Sequence, residues 1–208
     1  MSRVCVFFGA DHKCGVSMLS QCVAERISEL EPDMRKLLLH AHGLGGRDFS
    51  SSTGESFEAL KPYLSRKLID ADEVLKKSLW RGNIHVIGCA EEVGSASAYH
   101  PDMVRGLIES LGSSLDLILC DSGADPEHGL SLGALLACDA AYIVLSQDES
   151  ALGRCEKRAG FFSDLRLNIA GFVVNKFDRN SSYTLRYIAE RLGEDADMFC
   201  TVRFSEHG

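Results

Sequence analysis

The segment between the first apolar run and the first predicted helix carries residues that can bind an anion. It reads Gly9-Ala-Asp-His-Lys-Cys-Gly-Val-Ser-Met-Leu-Ser20. A glycine-containing loop that leads from a strand into a helix offers free backbone N–H groups and the positive end of the helix dipole, and both favour a phosphate group. The standard phosphate-binding sequence, G-x-x-x-x-G-K-[ST], is absent, so a plain strand-to-helix turn is the alternative.

Three histidines, His12, His42 and His128, each follow a predicted strand. In a doubly wound sheet the carboxyl ends of these strands meet near one edge, and Cys14 and Asp121 would lie close by. Imidazole, thiolate and carboxylate groups together can bind a transition-metal ion. The alternative is three separate surface histidines, because no closely spaced pair of ligands in the sequence anchors such a site.

These polar residues are positioned by apolar runs that alternate with segments of helical periodicity. Strands are predicted at 3–8, 36–40, 84–88, 115–121, 140–146 and 169–175. Helices are predicted at 17–30, 55–79 with an interruption at Pro62, 101–111, 130–137, 151–165 and 183–192. Near-continuous apolar strands joined by helices require crossover connections. We therefore expect one α/β domain over residues 1–208, with a doubly wound, mainly parallel sheet flanked by helices.

Composition narrows the classes of function. With 208 residues and 45% hydrophobic positions, the chain can bury a core and is not a disordered protein. A formal net charge of -8 argues against binding of a nucleic-acid phosphate backbone over a wide protein surface. Because no apolar run approaches about 20 residues and no signal-peptide pattern opens the chain, we expect a cytoplasmic protein. The last residues form no basic amphipathic helix and carry no lipidation signal, so no membrane anchor is expected there.

The eight cysteines are scattered, without a C-x-x-C pair. Several of them lie inside apolar runs, where a free cysteine behaves as a small hydrophobe, so we expect reduced thiols in the core. On the first predicted helix, Met18, Cys22 and Val23 fall on one face, and we expect that face to pack into the core as well.

Four segments, in order, resemble the deviant-Walker ATPases of the ParA and MinD family. The segment from Lys13 to Leu19 lies in register with their K-G-G-V-G-K-T loop. The run Asp116-Leu-Ile-Leu-Cys-Asp-Ser-Gly-Ala-Asp125 resembles their Walker B strand and switch II, and Ser146-Gln-Asp-Glu-Ser-Ala-Leu152 resembles the segment after their next strand. Val173-Val-Asn-Lys-Phe-Asp178 resembles their VVNK element. The resemblance implies the fold of P-loop NTPases.

The resemblance also implies roles for individual residues. Lys13 matches the signature lysine that reaches a partner's phosphates in a nucleotide-sandwich dimer, and Asp121 matches the Walker aspartate. Asn175 would contact adenine, although capping the following turn is an equal alternative; Asp121 could likewise cap a turn, and Lys13 could be a solvated loop cation. ATP or ADP with Mg²⁺ is the implied cofactor, with Asp121 and Ser20 as metal ligands. The implied nucleotide-binding set is Lys13, Cys14, Gly15, Val16, Ser17, Met18, Leu19, Ser20, Asn175 and Lys176.

Departures from the family pattern weaken the expectation of catalysis. Met18 stands where the family has its in-loop lysine, and Leu19 stands where it has the magnesium-binding threonine. A thioether gives no charge to phosphates and leucine gives no oxygen to Mg²⁺. Ser20 could substitute only if the loop shifts. Cys14 and Ser17 replace glycines, and His40-Ala41-His42 replaces a pair of aspartates after the second strand.

Lys13 and Asp121 are thus the only candidate catalytic residues that the chain retains, and we expect weak or absent ATP hydrolysis. The altered loop is similar to those of the Tad/Cpa pilus-localisation branch. We therefore expect a degenerate nucleotide-binding-type protein that acts as a localisation or assembly scaffold, with a homodimer and an unidentified protein partner. The alternatives are a slow ATPase in which Lys13 and Ser20 replace the missing pair, and a nucleotide-free interaction module.

Overall fold

The computed structural model describes residues 2–43, 55–81, 83–88 and 99–203. The strands are β1 (Arg3–Gly9), β2 (Lys36–His40), β3 (Leu79–Arg81), β4 (Ile84–Ile87), β5 (Leu117–Asp121), β6 (Ala140–Ser146), β7 (Ile169–Phe177) and β8 (Phe199–Arg203). The helices are α1 (Val16–Leu30), α2 (Phe57–Arg66), α3 (Ala71–Ser78), α4 (Pro101–Leu111), α5 (Gly129–Ala137), α6 (Glu149–Asp164) and α7 (Leu185–Leu192), with a 3-10 turn at Ala196–Met198.

The eight strands form a single sheet in the order β3-β4-β2-β5-β1-β6-β7-β8. Seven strands run parallel, and the short edge strand β3 pairs antiparallel with β4. Every residue of β2 and β5 is buried, as expected for central parallel strands that are covered on both faces. The predicted doubly wound, mainly parallel α/β fold is confirmed.

The helices divide unequally between the two faces of the sheet. One face packs against buried side chains of α2, α3, α4, α5, α6 and α7. Among the described residues, α1 is the one helix whose side chains cover the other face, through Val16, Leu19 and Ala24. The loop that precedes α1 therefore lies over the carboxyl ends of the strands that α1 covers.

Helix α2 departs from the prediction at Pro62. The sequence predicted an interruption there, yet Pro62 lies inside α2, and the break comes after Arg66, where Lys67 adopts a left-handed conformation with φ 55°. The missing N–H of the proline is tolerated because Phe57, Leu60 and Leu64 hold the helix against the core on both sides of it. The strand β3 was not predicted, because three residues are too few to show a period.

The orientation of α1 is a second correction. Its buried face carries Val16, Leu19, Ser20 and Ala24, whereas Met18 is 50% exposed and Cys22 is exposed. The predicted burial of Met18 and Cys22 was wrong. The face of α1 that contacts the sheet is rotated by one residue about the helix axis from the face with the most apolar side chains.

Most of the thiols do lie in the core: Cys5, Cys14, Cys120 and Cys155 are buried, Cys138 is half-buried, and Cys200 is exposed like Cys22. None of these described cysteines forms a disulfide. The glycine- and serine-rich stretch that the sequence places at 43–54 lies outside the described residues after Gly43. No helix in the described part of the chain has both the length and the apolar character needed to span a membrane.

Candidate functional site

A cleft of about 510 Å³ opens where β1, β2 and β5 end side by side. Such a position, at the carboxyl ends of parallel strands, is where open α/β sheets bind ligands. Three connections line it: the loop between β1 and α1, the residues after β2, and the residues after β5. The lining residues are Asp11, His12, Lys13, Cys14, Gly15, Val16, Ser17, Met18, His42, Gly43, Gly123, Ala124, Asp125 and His128.

The loop between β1 and α1 ends in a helix start that is open to an anion. Gly15 is the N-cap of α1, with φ 90°, and it supplies no side-chain hydrogen bond to the first turn. The first N–H groups of α1 therefore face the cleft without a cap from this residue, which is the condition for binding a phosphate or carboxylate. Lys13 is exposed on the same loop and has φ 63°.

Two residues at the end of β7 hold this loop in place. The buried Asn175 amide donates from Nδ2 to the Cys14 carbonyl at 2.8 Å, and Lys176 Nζ donates to the Lys13 carbonyl at 3.2 Å. A Cβ atom on Gly15 would overlap Asn175 Nδ2, so position 15 requires glycine for space as well as for its positive φ. The contact of Asn175 with adenine stays a prediction; in the structure its amide binds the loop backbone.

The side chains of Cys14, Leu19 and Ser20 are buried, and Leu19 and Ser20 do not line the cleft. The Cys14 thiol is buried beneath the loop, and burial raises its pKa, so the thiol is neutral. Leu19 packs in the apolar cluster under α1. The Ser20 hydroxyl is buried and donates to the Ser17 carbonyl at 3.0 Å.

These positions do not fit a magnesium–nucleotide site of the expected kind. Magnesium needs hard oxygen ligands in nearly octahedral geometry. Leu19 offers no oxygen, Ser20 faces the helix backbone, and the carboxylate at the Walker position, Asp121, is bound by two histidines. The side chain of Met18, at the lysine position, is half-exposed on the cleft and is uncharged. The loop backbone thus fits a phosphate group better than the side chains fit its magnesium ion.

Among the residues that the structure describes, His40, His42 and Asp121 form a close group of metal-ligating side chains. His40 ends β2 and is the register partner of Asp121, which ends the adjacent β5. Directly paired residues of parallel strands project to the same face, so the two side chains meet. His40 Nδ1 and His42 Nε2 each lie 3.1 Å from the same carboxylate oxygen, Asp121 Oδ2. One donor atom from each of the three residues lies within 4.8 Å of the other two.

Asp121 is fully buried, and its charge is balanced locally. Its second oxygen, Oδ1, accepts the Gly123 N–H at 3.1 Å. Burial alone would raise the pKa of this carboxyl, but the hydrogen bonds and charges of His40 and His42 outweigh burial and hold the pKa below its ordinary value. The group therefore contains a carboxylate anion at neutral pH, with two imidazoles aimed at it.

The predicted cluster of His12, His42, His128, Cys14 and Asp121 was wrong about which of these residues meet. Of these residues, the structure brings His42 and Asp121 together, and His40 joins them. His12 is exposed on the cleft, and Cys14 is beneath the loop. His40 was missed because the pairing of β2 with β5 decides that it meets Asp121; the spacing His-x-His at a strand end was the available signal.

His128 lies on the same cleft but has a separate role. It is the N-cap of α5, and its Nδ1 accepts the Leu130 N–H at 3.3 Å. Its Nε2 is buried against Gly43 and has no hydrogen-bond partner among the described residues. Burial lowers the pKa of His128, so its ring is neutral at physiological pH.

Sequence reasoning also missed Arg158, on α6. Its guanidinium donates to the carbonyls of Gly9, Ala10 and Ala124 at 2.8, 3.0 and 2.9 Å. Gly9 ends β1, Ala10 begins the loop after it, and Ala124 follows β5. Arg158 thus joins two of the three connections that line the cleft.

Comparison with known proteins supports the fold. No protein-family model matches the chain, and no curated protein sequence matches it significantly. Among solved structures, a ParA family ATPase from Chlorobium tepidum TLS aligns with 20% identity and a TM-score of 0.83, covering 99% of this chain and 85% of that one. MinD of Pyrococcus horikoshii OT3, complexed with Mg-ADP, aligns with 16% identity and a TM-score of 0.67, over 94% and 79% of the two chains.

A third similar structure is the ATP complex of a McdA variant from Cyanothece, with 13% identity, a TM-score of 0.75 and coverage of 97% and 82%. At these identities the similarity establishes the fold, which is that of ParA/MinD P-loop NTPases. It leaves the activity to be argued from the residues of the cleft.

Proposed function

We propose that this chain is a degenerate nucleotide-binding-type protein with the ParA/MinD fold, which acts as a localisation or assembly scaffold and hydrolyses ATP weakly or not at all. The observation that carries the proposal is the contrast within the cleft. The loop backbone is arranged to receive a phosphate, whereas the side chains that would activate that phosphate are replaced. Similar folds in MinD and McdA are recorded with Mg-ADP and ATP, which supports a nucleotide as the ligand of this cleft.

Phosphate binding rests on the backbone. The uncapped start of α1 offers N–H groups, and the exposed Lys13 adds a positive charge beside them. Asn175 and Lys176 hold the loop through hydrogen bonds within the protein, so little ordering cost opposes binding. The nucleotide would then act through the shape of the loop rather than through turnover.

Weak hydrolysis follows from the replaced side chains. Phosphoryl transfer depends on positive charge at the transferred group and on a positioned water molecule. Met18 supplies no charge, and the hydrogen-bonded imidazoles of His40 and His42 stand where the family has aspartates. Asp121, the retained Walker aspartate, is already bound by both histidines and by the Gly123 N–H.

Dimerisation across the cleft is part of the proposal. Lys13 is exposed on the cleft. In the sequence resemblance it matches the signature lysine that reaches a partner. A scaffold that dimerises on binding nucleotide could present a composite surface to a protein partner. The likeness of the loop to the Tad/Cpa branch stays a prediction from the sequence.

The slow-ATPase alternative requires Ser20 to turn toward the cleft. Its hydroxyl is buried and bonded to Ser17, so that role would need the first turn of α1 to open. A nucleotide-free interaction module is the other alternative, and nucleotide titration distinguishes it from a nucleotide-binding protein.

The first experiment is calorimetric titration of the protein with Mg-ATP, Mg-ADP and ATP without magnesium. Backbone-dominated binding predicts micromolar affinity that changes little when magnesium is omitted. Sedimentation in the presence of each nucleotide then tests for a dimer. Absence of binding at millimolar nucleotide would contradict the nucleotide-binding proposal and leave the interaction module.

A matched pair of variants at position 18 sharpens this experiment. Met18→Lys restores a cation beside the proposed phosphate, and a charge-assisted hydrogen bond worth about 1.5–3 kcal/mol should tighten ATP binding by roughly 10- to 100-fold. Met18→Gln is the control of similar size without the charge, and we expect its affinity to match that of the natural chain. Equal affinity for both variants would place the nucleotide elsewhere.

Turnover is measured separately as released phosphate. We expect none above background for the natural chain and none for Met18→Lys, because the water-positioning aspartate is still missing. Steady release that Asp121→Asn abolishes would favour the slow ATPase instead.

A further inference from the structure

We propose that His40, His42 and Asp121 bind one divalent transition-metal ion, of which Zn²⁺ is the representative. The site is distinct from a magnesium site that serves a nucleotide, and it does not depend on nucleotide binding. Two imidazole nitrogens and one carboxylate oxygen are the donors, and their types select a borderline ion over Mg²⁺ or Ca²⁺.

The spacing of the donor atoms supports this assignment. Zinc–nitrogen and zinc–oxygen bonds of about 2.0–2.1 Å at a tetrahedral angle separate two ligand atoms by about 3.3 Å. In the structure, His40 Nδ1 and His42 Nε2 are each 3.1 Å from Asp121 Oδ2. The ring planes of the two histidines are nearly perpendicular, at 87°, and the ring centroids lie 6.0 Å apart.

Proton movements at the site remain balanced. In the metal-free form each imidazole can donate an N–H to Asp121 Oδ2. On binding, the ligating nitrogen of each ring gives up its proton, to the other ring nitrogen or to solvent, and presents a lone pair to the ion. One divalent cation, two neutral imidazoles and one carboxylate then give the bound group a net charge of +1. The buried carboxylate lowers the cost of bringing a cation to this place.

The site is built on rigid elements and reached from the cleft. His40 and Asp121 end paired central strands, and their side chains are 4% and 0% exposed. His42 is 12% exposed and lines the cleft, which gives an ion a path to the group. Three protein donors leave a fourth tetrahedral position, the arrangement of zinc sites that also hold water or an exogenous ligand.

The test uses the full chain, freed of metal by a chelator and titrated with Zn²⁺ and with Co²⁺ in the absence of nucleotide. We expect about one equivalent of either ion per chain, and cobalt absorption in the visible range that is typical of tetrahedral coordination by nitrogen and oxygen. Millimolar Mg²⁺ should not displace either ion. Less than one-tenth of an equivalent bound by the natural chain overturns the proposal.

Variants assign the ligands. His42→Ala removes a partly exposed donor. Loss of an outer-shell partner lowers metal affinity by about 10- to 100-fold, and we expect a larger decrease here because a direct ligand is lost. His12→Gln removes an exposed histidine of the same cleft and should bind like the natural chain. His40→Asn is the second variant if circular dichroism shows that His42→Ala does not fold. Binding by a folded His42→Ala or His40→Asn with unchanged affinity overturns the proposal.

Exposed thiols are the main competing ligands, and cobalt distinguishes them. Cys22 and Cys200 are exposed and can bind zinc as thiolates. A Co²⁺ complex with thiolate ligands has intense charge-transfer absorption in the near ultraviolet, which coordination by imidazole and carboxylate lacks. Dominant thiolate absorption at one equivalent would assign the ion to cysteine and contradict the site at Asp121. Because no nucleotide is present, a negative result here leaves the proposed nucleotide binding untouched, and the reverse also holds.

Discussion

At the scale of single residues, Arg158 shows how one side chain can fix the shape of a ligand cleft. Its planar guanidinium reaches three carbonyls on two different connections, and it lies over the ring of Phe8 at 5.2 Å. A lysine ammonium carries its donors on one atom and cannot match this spread. The first turn of the loop after β1 therefore depends on a residue that lies 149 positions after Gly9 in the sequence.

We expect Arg158→Lys to lower the free energy of unfolding by about 1–3 kcal/mol, because at least one partly buried carbonyl loses its charged donor. Urea unfolding followed by circular dichroism measures the loss. Arg154→Lys is the matched control: Arg154 binds Asp11 at 2.8 Å but is half-exposed, and exposed ion pairs contribute about 0–1 kcal/mol. A larger loss for Arg154→Lys than for Arg158→Lys would contradict the role assigned to Arg158.

His85 gives the pH dependence expected at this scale. It lies on β4, and its Nδ1 faces the Leu75 carbonyl at 2.9 Å and the Ser78 hydroxyl at 3.3 Å, both on α3. Burial lowers the pKa of His85 below its ordinary value of 6.5. The folded state therefore binds fewer protons than the unfolded state, and its stability is fully present above pH 6.5 and is lost as the pH falls through the lowered pKa.

We expect the free energy of unfolding to decrease as the pH falls below 6.5, and His85→Asn, which keeps a donor near the Leu75 carbonyl, to reduce that slope. Denaturant unfolding of both proteins at several pH values is the measurement. Identical slopes for His85→Asn and the natural chain would rule out His85 as a source of the acid sensitivity.

At the scale of elements, the contact between α4 and α5 depends on the absence of side chains. A Cβ on Gly133 would overlap the Pro101 carbonyl and come within 2.8 Å of Val104 Cβ. A Cβ on Gly160, in α6, would meet nothing within 4 Å. Gly133 therefore allows close packing of α5 against α4. Gly160 weakens α6 and gives no packing contact in return.

Glycine-to-alanine substitutions at these two positions should have opposite signs. We expect Gly133→Ala to destabilise the protein by about 1–3 kcal/mol, because backbone must move to admit the methyl group. Gly160→Ala should stabilise it by about 0.5–1 kcal/mol, since alanine favours the helix and nothing crowds it. Thermal unfolding of the two variants tests the pair, and a stabilising Gly133→Ala would show that α4 and α5 are not packed this closely.

The strands that were predicted well are those whose burial is visible as a continuous run of apolar residues in the sequence. The apolar runs of β1, β2, β5, β6 and β7 are visible because central parallel strands are buried on both faces. Pro62 and the buried face of α1 were misjudged because tertiary packing, rather than helix propensity or average hydrophobicity, decides them. The same limit applied to the candidate site: the loop after β1 is a local motif, whereas the meeting of His40 with Asp121 requires the register of two strands 81 residues apart.

At the scale of the whole molecule, the two faces of the sheet are covered by unequal layers of helices. Six helices pack on one face of the sheet, and α1 covers the other face among the described residues. The cleft lies on the α1 side of the strand ends, where the loop, His42 and the residues after β5 converge. In this arrangement the loop and α1 can change while the larger layer keeps its structure.

Coverage of one face of the sheet by α1 affects the hydrogen exchange expected for that helix. Detachment of α1 exposes one small apolar layer, so its amide hydrogens should exchange through local opening at a lower free energy than those of β5 or α4, which require global unfolding. A ligand that binds the first turn of α1 must leave before that opening and should slow exchange in α1 selectively. Mass spectrometry of deuterium uptake, with and without nucleotide, would then report occupancy of the cleft as a change in the lifetime of one helix.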